Sequence, residues 1–544
     1  MEMMCSNGRW WLRRFLLLGL CCPLPSGLLA DDSLQGGASV PRPPTDTRPT
    51  SKSDYKRWGQ YAVKRLAVGD QQDAEAFLSE MLALAPDDSD LMLLQAAAVG
   101  TRGDVAASEA WLVRALAAGL PPGRVLAGPR VLSEPLATTD TFRRLSVQPD
   151  QRLVHGPMLG AMTDSSVDVW VRTAQPAEVT LEAQPVAGPG DSPMLGEPGD
   201  LVASWLVARG SSRAVDDRTA VLQLDGLLPE TTYRYRLRVD DGEPIYGGHF
   251  TTWPAVGGPA RFSVAFGGGA GFHPPQERIW RVIASHRPTA LLLLGDNIYS
   301  DDPETPAVQE YCYYRRQSRP EFRDLAGMTP VLSIWDDHDF GTDDAWGGPD
   351  RDRPAWKLDV WRRFTQNWAN PAYGGGELQP GVWYDFSIGD VDFFMLDGRY
   401  WRTNSGRRGD SPAEEPDMLG PAQEAWLCER LAASSATFKV VVSPVPWDFR
   451  AKPGAGGLDT WAGFPQQRER IFRFLSDRGI DGVLLMSADR HRSDAWRIDR
   501  AGDYPLFEFN SSRLTNDHVH ATMDEAIFSY NATQSFGWVT FDTR

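Results

Sequence analysis

Between Ala290 and Leu294 the chain runs through four consecutive leucines and passes, without a spacer, into Gly295-Asp296-Asn297-Ile298-Tyr299. An unbroken apolar run of this length reads as a strand buried on both faces, the kind found in helix-covered sheets. Such sheets place their chemistry in the crevice at the carboxyl edge. Here the strand ends in a carboxylate, an amide and a phenol, and Gly295 lets the backbone turn with no side chain in the way. Five more apolar runs, Phe262–Phe266, Val331–Trp335, Val391–Leu396, Phe438–Val442 and Val483–Met486, alternate with helical stretches such as Gln276–His286, Trp356–Trp368 and Gln466–Arg478. That alternation predicts a layered α/β domain over residues 256–544.

At 544 residues the chain is too long for one core, so several domains are expected. Residues 145–255 change character. Val167, Val169 and Val171 alternate with Asp168, Trp170 and Arg172, and Tyr233, Tyr235, Leu237 and Val239 alternate with arginines. Strict period two predicts antiparallel strands with polar outer faces. The phrase LDGLLPETTYRYRLRV resembles the late-strand corner of a fibronectin type III sandwich, where a tyrosine hydroxyl ties down the turn. Residues 52–144 read as helical. The block Gly69-Asp70, Glu75-Ala76-Phe77-Leu78 recurs as Gly103-Asp104, Glu109-Ala110-Trp111-Leu112, an offset of 34 residues. That is the tetratricopeptide period, and the segment resembles that repeat; a plain helical hairpin is the alternative. Two repeats bury little alone, so this unit is expected to pack on its neighbour. The sequence names no protein partner for it.

Residues 31–51 are rich in Pro, Ser, Asp and Thr and read as a disordered linker. Residues 1–30 carry Arg9, Arg13 and Arg14 before FLLLGLCCPLPSGLLA, which reads as a secretory signal peptide ending near Ala30. The apolar core is shorter than the roughly 20 residues a membrane anchor needs. The Arg13-Arg14-Phe15-Leu16 run partly matches a twin-arginine signal. A periplasmic or extracellular location follows, with no membrane span in the mature chain. The net charge of −17 argues against a nucleic-acid partner. Of five cysteines, only Cys312 and Cys428 lie beyond the leader, so neither a disulfide framework nor a zinc motif is present.

Four clusters follow four of the α/β strands: Gly267-Gly268-Gly269 with His273 behind it, Asp296-Asn297-Ile298-Tyr299, Asp336-Asp337-His338-Asp339, and Asp489-Arg490-His491. One Asp-x-His at a strand end is most often a solvated loop. Three acid-rich clusters after buried strands of one domain are a stronger signal. Carboxylates packed into one crevice would repel and raise each other's pKa, and bound cations relieve this. Oxygen donors with one or two imidazoles suit hard or borderline metals, and a phenolate at Tyr299 would lean toward ferric iron.

The order strand–GDNIY, strand–WDDHDFG, strand–SADRH resembles the calcineurin-like metallophosphoesterases and, within them, the alkaline phosphatase D (PhoD-like) family. YYRRQSRPEF, FFMLDGRYWR and FEFNSSRLTN read like its members, and the likeness runs from about Arg152 to the C-terminus. The resemblance implies an exported phosphoric ester hydrolase that uses two or more metal ions, calcium and/or iron with manganese as a further candidate. Its substrate would be a phosphomonoester or phosphodiester, attacked by a metal-bound hydroxide. It implies that Asp296 bridges two metals, that Tyr299, Asp337, Asp489 and His491 are further ligands, and that His338 meets the phosphate or the leaving oxygen. Arg490 or Arg315 would offset phosphoryl charge. Asn297 and Asp336 are adjacent candidates, and Asp397, Arg399 and Arg402 could act as outer contacts. Two positions depart from the pattern. Gly269 stands where the family carries a cysteine ligand, a place His273 could fill by swinging in, and Ser443-Pro444 stands where many of the wider superfamily carry a histidine. The rival reading is a non-catalytic binding or scaffold protein with a degenerate site.

Overall fold

The computed structural model describes residues 3–6, 9–12, 44–186, 205–407 and 411–544. The leader and most of the linker fall outside these, apart from a backbone pairing of Met3–Ser6 with Arg9–Leu12. No described helix is long and apolar enough to cross a membrane.

The α/β region holds two sheets. In the first, Val331–Ile334, Ala290–Leu294 and Arg261–Gly267 are parallel neighbours and Gly537–Asp542 closes the edge antiparallel. The second has seven strands, with Val391–Met395, Phe438–Val442, Val483–Ser487 and Leu506–Ser511 parallel at its centre. The sheets face each other through aromatic rings: Phe541 of the first lies 5.7 Å from both Phe393 and Phe438 of the second. Every residue of Ala290–Leu294 is buried, as its lack of polar alternation requires.

Parallel register decides where the site falls. Gly267 pairs with Leu293 and Leu294 with Ile334, so three strand tips finish at one level. In the second sheet Val442 pairs with Met486 and Ser487 with Asn510. A lone bridge, Gly268 to Ser512, ties the two edges together. The tips crowd so closely that side chains are excluded. A Cβ at Gly268 would lie 2.7 Å from Ala488 Cβ and 3.0 Å from the Gly295 carbonyl, and one at Gly295 would lie 2.6 Å from Asp336 Cβ.

Ahead of this region, three antiparallel strands (Leu153–Gly160, Ser166–Thr173, Thr219–Asp225) accompany a four-stranded antiparallel sheet (Leu206–Ser212, Ala177–Pro185, Thr232–Val239, Tyr246–Thr251). The Leu228 N–H donates to the Tyr233 hydroxyl at 2.9 Å, closing the corner between strands. One expectation is corrected here. Trp170 and Arg172 do not face solvent; each is 1% exposed. Trp170 Nε1 donates to the Gln366 carbonyl, and Arg172 donates to Gln317 and Asn367, all in the α/β region. The alternation marks two buried faces of different chemistry, one apolar and one hydrogen-bonded.

The helical segment begins with Tyr55–Ala67, Gln71–Leu84, Ser89–Thr101 and Val105–Ala117. The Gly-Asp pairs at the 34-residue offset are turns, in which Asp70 and Asp104 cap the helices that follow. The first helix packs on Pro306–Gln317, where Gly59 leaves room for Tyr311: a Cβ there would lie 1.9 Å from its hydroxyl. The end of the linker is likewise held, not disordered. Thr45 is buried and donates to Asp302 Oδ2, while Arg48 pairs with Asp73 and Glu80.

Candidate metal centre

Asp296 leaves its strand in the left-handed region (φ 56°), and so do Tyr299, Asp301, Asp344, Asp489 and His491 (φ 48–67°). Side chains rarely adopt this backbone, and a group of them at one edge marks strain held by the surrounding fold. Asp339 does much of the holding. Its carboxylate accepts from the N–H groups of Asn297 and Ile298, both at 2.9 Å, and from the Asn297 side chain at 3.0 Å. Asn297 also donates to the Ile334 carbonyl at 2.8 Å. This candidate ligand therefore spends its amide N–H groups tying two strand tips together.

Ligand atoms of Asp296, Asp337 and His338 all lie within 4.8 Å of one another, and so do those of Asp337, Asp344 and Asp459. His338 is set by its neighbours. Its Nδ1 pairs with Asp301, its Nε2 lies 3.9 Å from Asp343 Oδ1, and its ring stacks on Tyr299 at 4.6 Å. Burial works against the imidazolium, but the carboxylates of Asp301, Asp337 and Asp296 outweigh it and hold His338 well above the ordinary histidine range.

Buried ligand atoms without a protein partner test whether cations fit. Asp296 Oδ1, Asp336 Oδ2, Asn297 Oδ1 and His491 Nδ1 are all of this kind. Burial, and then repulsion from neighbouring carboxylates, pushes Asp296 well above the usual range; burial, with Asp337 and Asp489 adding to it, does the same to Asp336 against the pull of Arg399. Burial, then the imidazoles of His518 and His520, keeps His491 well below its usual range and so neutral. Asp296 and Asp336 are oxygen donors that cannot comfortably ionise alone, a kind that divalent or trivalent cations fit; His491 stands in neither group of ligand atoms that lie within 4.8 Å. Gly269 adds nothing to it. At φ +70° a Cβ there would lie 2.9 Å from the Arg513 nitrogen and 3.8 Å from the Tyr299 hydroxyl. That hydroxyl instead accepts from Asn516 Nδ2 at 2.6 Å.

Several candidates stand elsewhere or in other roles. Asp397 accepts four N–H donors, Trp335, Arg399 and Tyr400 on Oδ1 and Val382 on Oδ2, and serves as a scaffold. Arg315 lies between the Phe272 and Tyr311 rings and donates to the Lys56 carbonyl, away from the carboxylates. His273 pairs with Asp517 at 2.9 Å and does not take up the place left by Gly269. Asp489 is neutralised by Arg490 at 3.1 Å and Lys452 at 3.8 Å; burial opposes these cations, yet they draw its pKa down to about 2. Arg399 and Arg402 converge on Asp459, and Arg399 also donates to Asp336.

Other residues at the site carried no signal strong enough to single them out. Asp301 sits two places after Tyr299, and a search for a carboxylate to hold His338 could have found it. Asp344 lies in a loop and Asp459 ends the 3-10 helix Gly454–Asp459, with no apolar run before either. His518 and His520 pack edge-on and tilted against His491, with ring centroids at 4.9 and 5.5 Å.

A layered α/β protein with acidic groups gathered at the strand tips of two facing sheets is the class this architecture defines. A family model described as PhoD-like phosphatase matches residues 264–543, just over half of the sequence, and the chain belongs to that family. A second model, a domain of unknown function (DUF7800), matches residues 150–254. Among curated proteins, alkaline phosphatase D of Bacillus subtilis (strain 168) is 25% identical over 337 residues, 54% of this chain and 56% of that protein. The chain thus spans about half the length of the curated relative it matches. A solved structure of PhoD superposes with a TM-score of 0.57 at 18% identity, over 73% of this chain and 84% of that one. A purple acid phosphatase from yellow lupin seeds gives a TM-score of 0.48 at 14% identity, over 72% and 71% of the two chains.

Proposed function

We propose that the protein is a metal-dependent phosphoesterase, exported from the cytoplasm by its leader. The observation that carries this reading is the approach of Asp296, Asp337 and His338 within 4.8 Å, with Asp296 Oδ1 buried and without a protein partner. Family membership supports phosphate esters as the substrate class. Asp296, Asp337 and His491 would hold the cations, with Tyr299, Asp336, Asp489 and Asn297 at their margin. Such ions supply Lewis-acid charge to phosphoryl oxygens and make water nucleophilic near neutral pH.

The chain's own groups do the rest. Asp301 pairs with His338 Nδ1, which fixes the ring and favours its protonated form. Nε2, on the opposite edge of the ring and 3.9 Å from Asp343 Oδ1, would give its proton to the departing alkoxide as the phosphorus–oxygen bond breaks. Tyr299, stacked on the ring, limits its tilt. Arg490, anchored by Asp489, offers charge for phosphoryl oxygens at the rim. A decayed scaffold would have no reason to retain buried acceptors without partners, which cost stability unless a ligand satisfies them.

The purified full chain should hydrolyse an aryl phosphate or an aryl phosphodiester when loaded with calcium, manganese or iron, and should stop when chelator is added. No hydrolysis of either ester with any of these ions would sink the proposal and favour the scaffold reading.

A further inference from the structure

The strip of helix Tyr55–Ala67 that faces the site reads Lys56, Gln60, Lys64, three side chains stacked at intervals of four. Gln60 donates to the Tyr299 carbonyl, and Lys64 Nζ lies 2.9 Å from Asp302 Oδ2. These two contacts seat the helix on the loop that follows Asp296. One turn nearer its start they place Lys56 Nζ 4.4 Å from the centre of the Tyr299 ring, on the residue that also stacks on His338.

Lys56 differs from the other cations here. Arg490 is engaged by Asp489, and Arg399 and Arg402 by Asp459. Among the described residues, no carboxylate lies within ion-pair distance of Lys56. Burial lowers the pKa of its ammonium, and Asp301, Asp296 and Asp343 pull the other way. The ammonium stands over the Tyr299 ring, and among the described residues no acceptor takes its three N–H donors.

We infer that Lys56 is a substrate-phosphate contact, delivered to the PhoD-like site by a helix outside the region the family model matches, and that it favours dianionic phosphomonoesters over monoanionic diesters. The inference rests on the function proposed above. A charge-assisted hydrogen bond from an ammonium strengthens with the charge of its acceptor, so a monoester gains more from Lys56 than a diester does. The helical segment would then complete the substrate site rather than serve only as a docking surface for another protein.

The test uses the metal-loaded full chain as wild type, Lys56→Met and Lys56→Arg. KM and kcat are measured on an aryl monoester and an aryl diester with the same leaving group, and inorganic phosphate binding by calorimetry. Lys56→Met should weaken phosphate binding and raise the monoester KM about tenfold, and raise the diester KM about threefold or less. Lys56→Arg should recover most of the loss. Methionine still packs on Tyr299 and no hydrogen bond is removed, so only the cation–π contact is lost and the thermal midpoint should move little. Unchanged phosphate affinity in Lys56→Met, or equal losses on both esters, would overturn the inference. Wild-type protein inert toward both esters would instead overturn the proposed function.

Discussion

Replacing His338 by alanine should lower kcat on an alkyl phosphate by about 10²–10⁴-fold. The imidazole, 13% exposed, pairs through Nδ1 with Asp301, which fixes its orientation and favours its protonated form. An alkoxide leaving group is a strong base and needs that proton as it departs. A nitrophenolate is a weak one and needs it far less. The loss should therefore shrink markedly on an activated aryl ester, while a purely structural defect would depress both substrates alike. Asp301→Asn should reproduce a weaker form of the same pattern, since it leaves the imidazole present but poorly oriented. A His338→Ala protein with undiminished kcat on the alkyl ester would remove histidine from the reaction.

Replacing Arg399 by methionine should cost about 3–5 kcal/mol of folding stability, read by urea unfolding in chelator so that metal affinity does not enter. Arg399 is fully buried and is the hub of an acidic cluster. Its Nε donates to Asp336, its two terminal nitrogens grip Asp459 at 2.8 and 3.1 Å, and it lies 3.7 Å from Asp337. Methionine fills much of the volume but leaves two buried carboxylates short of charge. Arg402 and Lys452 still reach Asp459, at 2.8 and 4.0 Å, whereas among the described residues no second cation pairs with Asp336. The variant should therefore recover part of its stability when Asp336 is also changed to asparagine. A loss below about 1 kcal/mol, the scale of an exposed ion pair, would mean that water reaches this cluster.

What the sequence makes legible follows from burial. Strands covered on both faces are mostly apolar, so Ala290–Leu294 and, Lys439 apart, Phe438–Val442 coincide with their apolar runs at both ends. Parallel register then carries the residues after them to a common edge, which is why Asp296, Asp337 and His338 could be named together. Polar partners are another matter where a distant segment supplies them. Arg399 and Tyr400 reach Asp397 from two and three residues away, but nothing near Asp397 announces Trp335 or Val382, and nothing near His273 announces Asp517. Arg315 is one of three arginines within five residues, and only the fold decides that it stacks on Phe272. Trp170 and Arg172 followed a solvent-facing pattern because alternation reports two different faces and not which of them is covered. Lys56 lies 240 residues before Asp296 in a helix of unrelated pattern, and its approach to Tyr299 is a product of docking alone.

The central claim is that separate acidic strand tips share bound ions, and counting those ions tests it most directly. Elemental mass spectrometry of the desalted full chain should find about two metal ions per wild-type molecule. The Asp296→Asn protein, folded to the same extent, should lose at least one of them together with ester hydrolysis. A wild-type protein that hydrolyses esters while free of metal, or an Asp296→Asn protein that keeps its full complement of ions, would contradict the account.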